Sequence, residues 1–241
     1  MGSTAEILAQ VNAVRWHQSF EILPGVVSQG TYRPDGLWRR LGLGPEISGN
    51  RVLDLGARDG YFSFRCETLG AKVLAVDYVE KEGTGFSLAA KLRRSEVQFI
   101  NRNIYDLRPA DIGTFDYVLM LGLLYHLPDP YLALEILRSL TKPGGVAFVE
   151  TTCTDEAVHF KDRSVATGSL NDLPLMIFVA RNVTSFWDMN STCLTQLLEH
   201  TGFSLQDMQR WGKRMLARCI AVESSEVERT NSIARGVVKR G

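Results

Sequence analysis

The residues best suited to chemistry stand just past short apolar runs. Asp54 lies inside Arg51-Val-Leu-Asp-Leu55, and Gly56 and Gly60 follow with Ala57, Arg58 and Asp59 between them. Glycines at such a turn accept backbone angles other residues avoid and let a ligand approach the main chain. Helical spacing resumes at Tyr61, so the stretch reads as strand, glycine turn and helix start, half of a βαβ unit. The three-glycine dinucleotide pattern is absent, and an acid inside the loop suits a cationic ligand better than a pyrophosphate. Asp77 ends the next apolar run, 23 residues beyond Asp54. An acid at that distance is placed to accept hydrogen bonds from ribose hydroxyls, which points to an adenosine derivative.

Further along, Asn103 and Ile104 follow the third apolar run, and Leu121-Gly-Leu-Leu-Tyr-His126 ends the fourth. Asn103 carries an amide oxygen able to accept a hydrogen bond, and it also suits a turn. His126 is the candidate general base, since imidazole exchanges protons near neutrality; an orienting role is the alternative. Asp129 reads as the cap of a helix opening at Pro130. Arg181, Asn182 and Trp187 gather basic, amide and aromatic character that could hold a polar acceptor, or fold onto the core as a plain loop. Metal binding has no supporting spacing, so none is expected.

The elements that must position these residues follow from periodicity. Residues 5–16 read as an amphipathic helix, 20–36 as an irregular or hairpin-like segment, and 37–43 as a short helix. From residue 49 strands and helices alternate, which implies a parallel sheet with helices on both faces. Strands are expected at 52–55, 71–77, 96–101, 114–121 and 146–150, the last after a Pro143-Gly-Gly turn. A segment at 152–187 interrupts the rhythm where open α/β sheets bind ligands. A capped helix at 190–200 and two last strands close the core. The expected division is an N-terminal extension and lid at 1–48, a core at 49–223 with its substrate-side insertion at 152–187, and a polar tail at 224–241.

Composition narrows the classes. Hydrophobic residues make up 45% and charged residues 22%, an ordinary globular mix, and no apolar run nears the ~18 residues a membrane span needs. The N-terminus lacks the pattern of a signal peptide, so a cytoplasmic protein without membrane association is expected. Four dispersed cysteines read as reduced core thiols. Net charge is zero, 27 basic against 27 acidic residues, which disfavours a polyanion as the main partner. Oligomeric state is open.

The loop Leu53-Asp-Leu-Gly-Ala-Arg-Asp-Gly-Tyr61 resembles the first motif of class I S-adenosylmethionine-dependent methyltransferases. The resemblance implies a doubly wound, Rossmann-like, seven-stranded sheet with an N-terminal helical extension and an insertion after the fifth strand. It implies S-adenosyl-L-methionine as cofactor, with Tyr32, Arg33, Asp54, Gly56, Ala57, Arg58, Asp59, Gly60, Asp77, Tyr78, Asn103, Ile104, Leu121, Gly122 and Tyr125 around it. His126 would be catalytic, and Tyr125, His126, Arg181, Asn182 and Trp187 would meet the acceptor. A longer, thinner resemblance runs from Trp16 to Gly202 to the tRNA wobble-uridine carboxymethyltransferases. Those enzymes use a carboxylated cofactor that needs cationic and aromatic partners in the N-terminal segment. Tyr32 and Arg33 are present here, but Leu37 stands where a lysine would align, and neutral groups cannot balance a buried carboxylate. Plain methyl transfer to a small-molecule hydroxyl, on a sugar or natural product, is therefore expected. The alternatives are a tRNA alkyltransferase and a non-enzymatic cofactor-binding module.

Overall fold

The structure, a computed structural model, describes residues 3–182 and 184–223. Contacts divide the chain into two compact units, one of residues up to 107 with 117–119 and one of 108–116 with 120 onward. The N-terminal extension falls in the same unit as the first βαβ segment.

In the first unit, α1 (Thr4–Asn12) opens with a capping box in which Ser3 and Glu6 satisfy each other's backbone N–H. The helix stops short of the expected Trp16 because that indole folds back and donates to the Val11 carbonyl, 2.8 Å away. β1 (Glu21–Leu23) and β2 (Val26–Val27) form a small hairpin across Gly25, whose φ is 77°. α2 (Asp35–Leu41) buries Leu37, Trp38 and Leu41. Then come β3 (Arg51–Leu55), α3 (Tyr61–Thr68), β4 (Lys72–Asp77), α4 (Phe86–Arg93) and β5 (Gln98–Asn101), with β3, β4 and β5 paired in parallel.

The second unit begins with α5 (Pro109–Ile112), and β6 (Phe115–Leu121) follows, its residues 117–119 counting with the first unit. α6 (Pro130–Leu140) follows, capped by Asp129, whose carboxylate accepts the Leu132 N–H at 2.9 Å. β7 (Thr141–Thr152) runs through the Pro143-Gly-Gly segment as one strand, kinked where Gly144 takes a φ of 76°. The 152–187 insertion is two hairpins, β8 (Ala157–His159) with β9 (Ser164–Ala166), and β10 (Met176–Asn182) with β11 (Ser185–Met189). α7 (Ser191–His200), capped by Asn190, leads to β12 (Phe203–Trp211) and β13 (Arg214–Ala221).

Seven strands make one mixed sheet in the order β12-β13-β7-β6-β3-β4-β5, with β13 antiparallel to both its neighbours. This is the Rossmann-like arrangement expected. Val52, Leu53, Val118 and Leu119 in its central strands are wholly buried, which is why those strands read as continuous apolar runs. The tail at 224–241 lies outside the described residues.

Candidate functional site

The loop after β3 is a left-handed turn. Gly56, Arg58 and Gly60 have φ values of 78°, 55° and 90°. For Arg58, the non-glycine, that conformation costs about 1–2 kcal/mol. The cost is offset locally, because the Arg58 N–H donates to Asp77 Oδ2 at 2.9 Å. Asp77 Oδ1 accepts the Val79 N–H, also at 2.9 Å, so the carboxylate at the end of β4 ties the glycine loop to the next turn. Gly60 has a second constraint, since a Cβ there would lie 2.5 Å from the Phe64 ring and 2.8 Å from Phe86.

Asp54 and Asp59, on either side of Gly56, are placed differently from one another. Asp54 is fully buried and accepts the Ser63 hydroxyl at 2.6 Å. Burial pushes its carboxyl up to about 6, against the lowering by Ser63, with the Asp77 charge adding to the rise. Asp59, read from the sequence as an acid suited to a cationic ligand, is engaged by the protein's own backbone. Its Oδ2 accepts the N–H groups of His17 and Gln18, each at 2.7 Å, and its Oδ1 accepts that of Gly85 at 2.8 Å. Three inward-pointing backbone donors need an acceptor once buried, and Asp59 supplies it.

The N-terminal segment therefore docks on this loop. Gln18 also accepts the Tyr61 N–H through its side-chain oxygen at 3.1 Å, satisfying an N-terminal donor of α3. Tyr32 stacks on His17 at 5.8 Å, whose imidazole burial pulls below the usual range, against the raising by Asp59. Arg33 is exposed, as is Tyr78, at 70% of its surface. Ala57 is buried in the loop, its N–H shared with that of Gly56 on the Val76 carbonyl. Asn103 caps a short turn by accepting the Tyr105 N–H at 3.1 Å, which is the turn-forming alternative, and Ile104 beside it is buried.

In the second unit, β6 ends at half-buried Leu121, and Gly122 reverses the chain with a φ of 70°. A Cβ on Gly122 would come within 3.7 Å of both Arg214 and Glu150 and 4.0 Å of the Tyr125 hydroxyl. Arg214 pairs with Glu150 through two hydrogen bonds and lies over the Tyr125 ring, 4.8 Å from its centre. Burial raises the Glu150 carboxyl, opposed by Arg214; burial also pulls on the guanidinium, but Glu150 and Tyr125 hold it above its ordinary value. Tyr125 and His126 are in ring contact, with centroids 4.0 Å apart. His126 Nδ1 bonds the Thr184 carbonyl. A carbonyl only accepts, so Nδ1 carries the proton and Nε2 is the basic nitrogen.

Trp187 sits on β11, donates its indole N–H to the Pro128 carbonyl at 3.1 Å and packs edge-on against Phe178. The side chains of Arg181 and Asn182 lie outside the described residues. Among the described residues no three His, Cys, Asp or Glu side chains come together to hold a metal, and the four cysteines are unpaired and buried. Glu150 and Arg214 were not singled out from the sequence. The signal for the pair was a charged residue ending one apolar strand and another opening a second, which demands a partner without naming it.

The methyltransferase-domain family matches residues 29–207, most of the chain, and the chain belongs to it. Within that family its fold and its glycine loop are those of the class I S-adenosylmethionine-dependent methyltransferases. A ubiquinone biosynthesis O-methyltransferase from Xanthomonas euvesicatoria is 34% identical over 106 residues, 44% of each chain. A tRNA U34 carboxymethyltransferase from Trichlorobacter lovleyi is 32% identical over 154 residues, 62% of this chain and 47% of that one. The chain thus spans less than half the length of these curated relatives. The crystal structure of the EvdMO1 N-terminal domain with S-adenosylhomocysteine and D-fucose superposes over 93% of this chain and 98% of its own, with TM-score 0.66 at 18% identity. The Burkholderia thailandensis 1,6-didemethyltoxoflavin N1-methyltransferase covers 78% of this chain and 76% of its own, with TM-score 0.57 at 20% identity.

Proposed function

We propose that this protein transfers a methyl group from S-adenosylmethionine to a hydroxyl of a small, uncharged molecule, such as a sugar or natural product, in the cytoplasm. The bridge made by Asp77 is the observation that carries the cofactor half. Each of its oxygens accepts one backbone N–H, and a carboxylate oxygen has capacity for a second, so both can take ribose hydroxyls. Asn103 and Ile104 are the proposed base contacts, and Tyr32, Arg33, Tyr78 and the Gly56–Gly60 loop complete the first unit's share. Leu121, Gly122 and Tyr125 are the second unit's proposed cofactor residues.

Bound, the cofactor supplies an electrophilic methyl on a sulfonium. The chain's own residues then have to bind, orient and deprotonate the acceptor. His126 suits the last task, because the Thr184 carbonyl fixes the tautomer that leaves Nε2 basic. Arg214 and Glu150 hold the Tyr125 ring in place. Arg181, Asn182 and Trp187 are the proposed acceptor contacts, and positioning of the two reactants supplies much of the rate.

Calorimetry with S-adenosylhomocysteine tests the cofactor half. Asp77→Ala should weaken binding at least about tenfold, roughly 1.4 kcal/mol, while the protein stays folded. Equal affinity in the two proteins would end the assignment of Asp77. A tRNA alkyltransferase is the second reading, favoured by the 32% identity to the U34 enzyme over 62% of this chain. Zero net charge and the burial of Leu37 at 6% exposure weigh against it. Transfer of labelled methyl to total tRNA but not to hydroxylated small molecules would decide for that reading.

A further inference from the structure

The second unit holds a cavity of about 500 Å³ that none of the proposed cofactor and acceptor residues lines. It lies between the exit of β7, the β8 strand and the β12–β13 turn, with Asp155, Glu156, His159, Arg210, Trp211 and Lys213 on its walls. Its size falls in the range of small-molecule sites. The turn is fastened to the end of β7 by the Cys153 N–H donating to the Lys213 carbonyl at 2.9 Å, and Arg214, the next residue, pairs with Thr152. The cavity therefore adjoins the strand ends that carry Glu150, Arg214 and, through them, Tyr125.

The wall chemistry selects the ligand. Asp155 is already answered, by Arg210 at 2.8 Å and by the Ser191 N–H and hydroxyl at 2.7 and 2.8 Å. Lys213 and Glu156, both exposed, then contribute one charge of each sign. An anion would gain from Lys213 and lose to Glu156, and a cation the reverse, so neither is drawn in strongly. A neutral molecule rich in hydroxyls can donate to the carboxylates and accept from the ammonium and guanidinium groups, while Trp211 offers apolar surface.

We infer that this cavity binds an uncharged sugar ring, the glycosyl part of the acceptor. Its link to the acceptor rests on the methyltransferase function proposed above; the sugar binding itself does not. Saturation-transfer NMR on the full chain, with methyl α-glucoside, methyl α-galactoside and methyl α-mannoside at up to about 50 mM, tests it directly. At least one should show saturable transfer to its ring protons, with affinity on the order of millimolar. The double variant Lys213→Ala, Glu156→Gln should weaken that binding about fivefold or more and leave S-adenosylhomocysteine affinity unchanged. No saturable transfer from any of the three sugars, tighter binding of glucuronate or inorganic phosphate, or wild-type affinity in the double variant would each overturn the inference. Failure of the wild type to bind S-adenosylhomocysteine would overturn the methyltransferase function alone.

Discussion

Asp59→Ala removes in one step the acceptor for three backbone N–H groups, those of His17, Gln18 and Gly85. The carboxylate is 1% exposed, so water does not reach the donors without local opening. Hydrogen bonds to a charged group contribute about 1.5–3 kcal/mol each, and at the low end the three together come to about 4–5 kcal/mol. For a chain of this size that is a fall in Tm on the order of 10–15 °C. Asp59→Asn should cost about half as much. It keeps an oxygen for the His17 and Gln18 donors but turns an NH2 towards that of Gly85. Thermal and urea unfolding, followed by far-UV circular dichroism, measure both variants. The loss should extend to S-adenosylhomocysteine affinity, because the N-terminal segment and the glycine loop are released together. A Tm for Asp59→Ala within about 2 °C of wild type would refute the view that this carboxylate holds the segment down.

Asp54 makes stability depend on pH in a definite sense. Its folded-state carboxyl is raised to about 6, so its ionisation opposes folding as pH rises from the unfolded value near 3.8 through about 6. Asp54→Asn should stabilise by on the order of 2–3 kcal/mol at pH 7 and by almost nothing at pH 4; urea denaturation showing a gain independent of pH would contradict this. Arg214→Met strands Glu150 in the interior and should cost about 3–5 kcal/mol, whereas the double change with Glu150→Leu should recover much of it. A double variant no more stable than the single one would show that the buried charge is not what matters. His126→Ala should lower turnover on a hydroxyl acceptor about 10²–10⁴-fold with donor affinity unchanged, and an undiminished rate would remove His126 as base.

The strands, helices and glycine loop were legible because their signals are local. Gly56 and Gly60 bracket a turn, Asp77 ends an apolar run, Asp129 and Asn190 precede helices, and each message is complete within about ten residues. From those the sequence by itself determined the α/β alternation, the loop where an adenosyl cofactor is proposed to bind, and the candidate acid and imidazole. Partner choice was not legible. Asp59 meets His17 across 42 positions, His126 meets Thr184 across 58, and Arg214 meets Glu150 across 64. Such pairs are set when buried polar groups compete for acceptors as the chain compacts, and no local pattern records which one wins. The tertiary structure alone therefore gave Asp59 its three backbone donors, turned the Asn103 oxygen to the Tyr105 N–H, set His126 against the Thr184 carbonyl, and placed a charge-balanced cavity beside the last two strands.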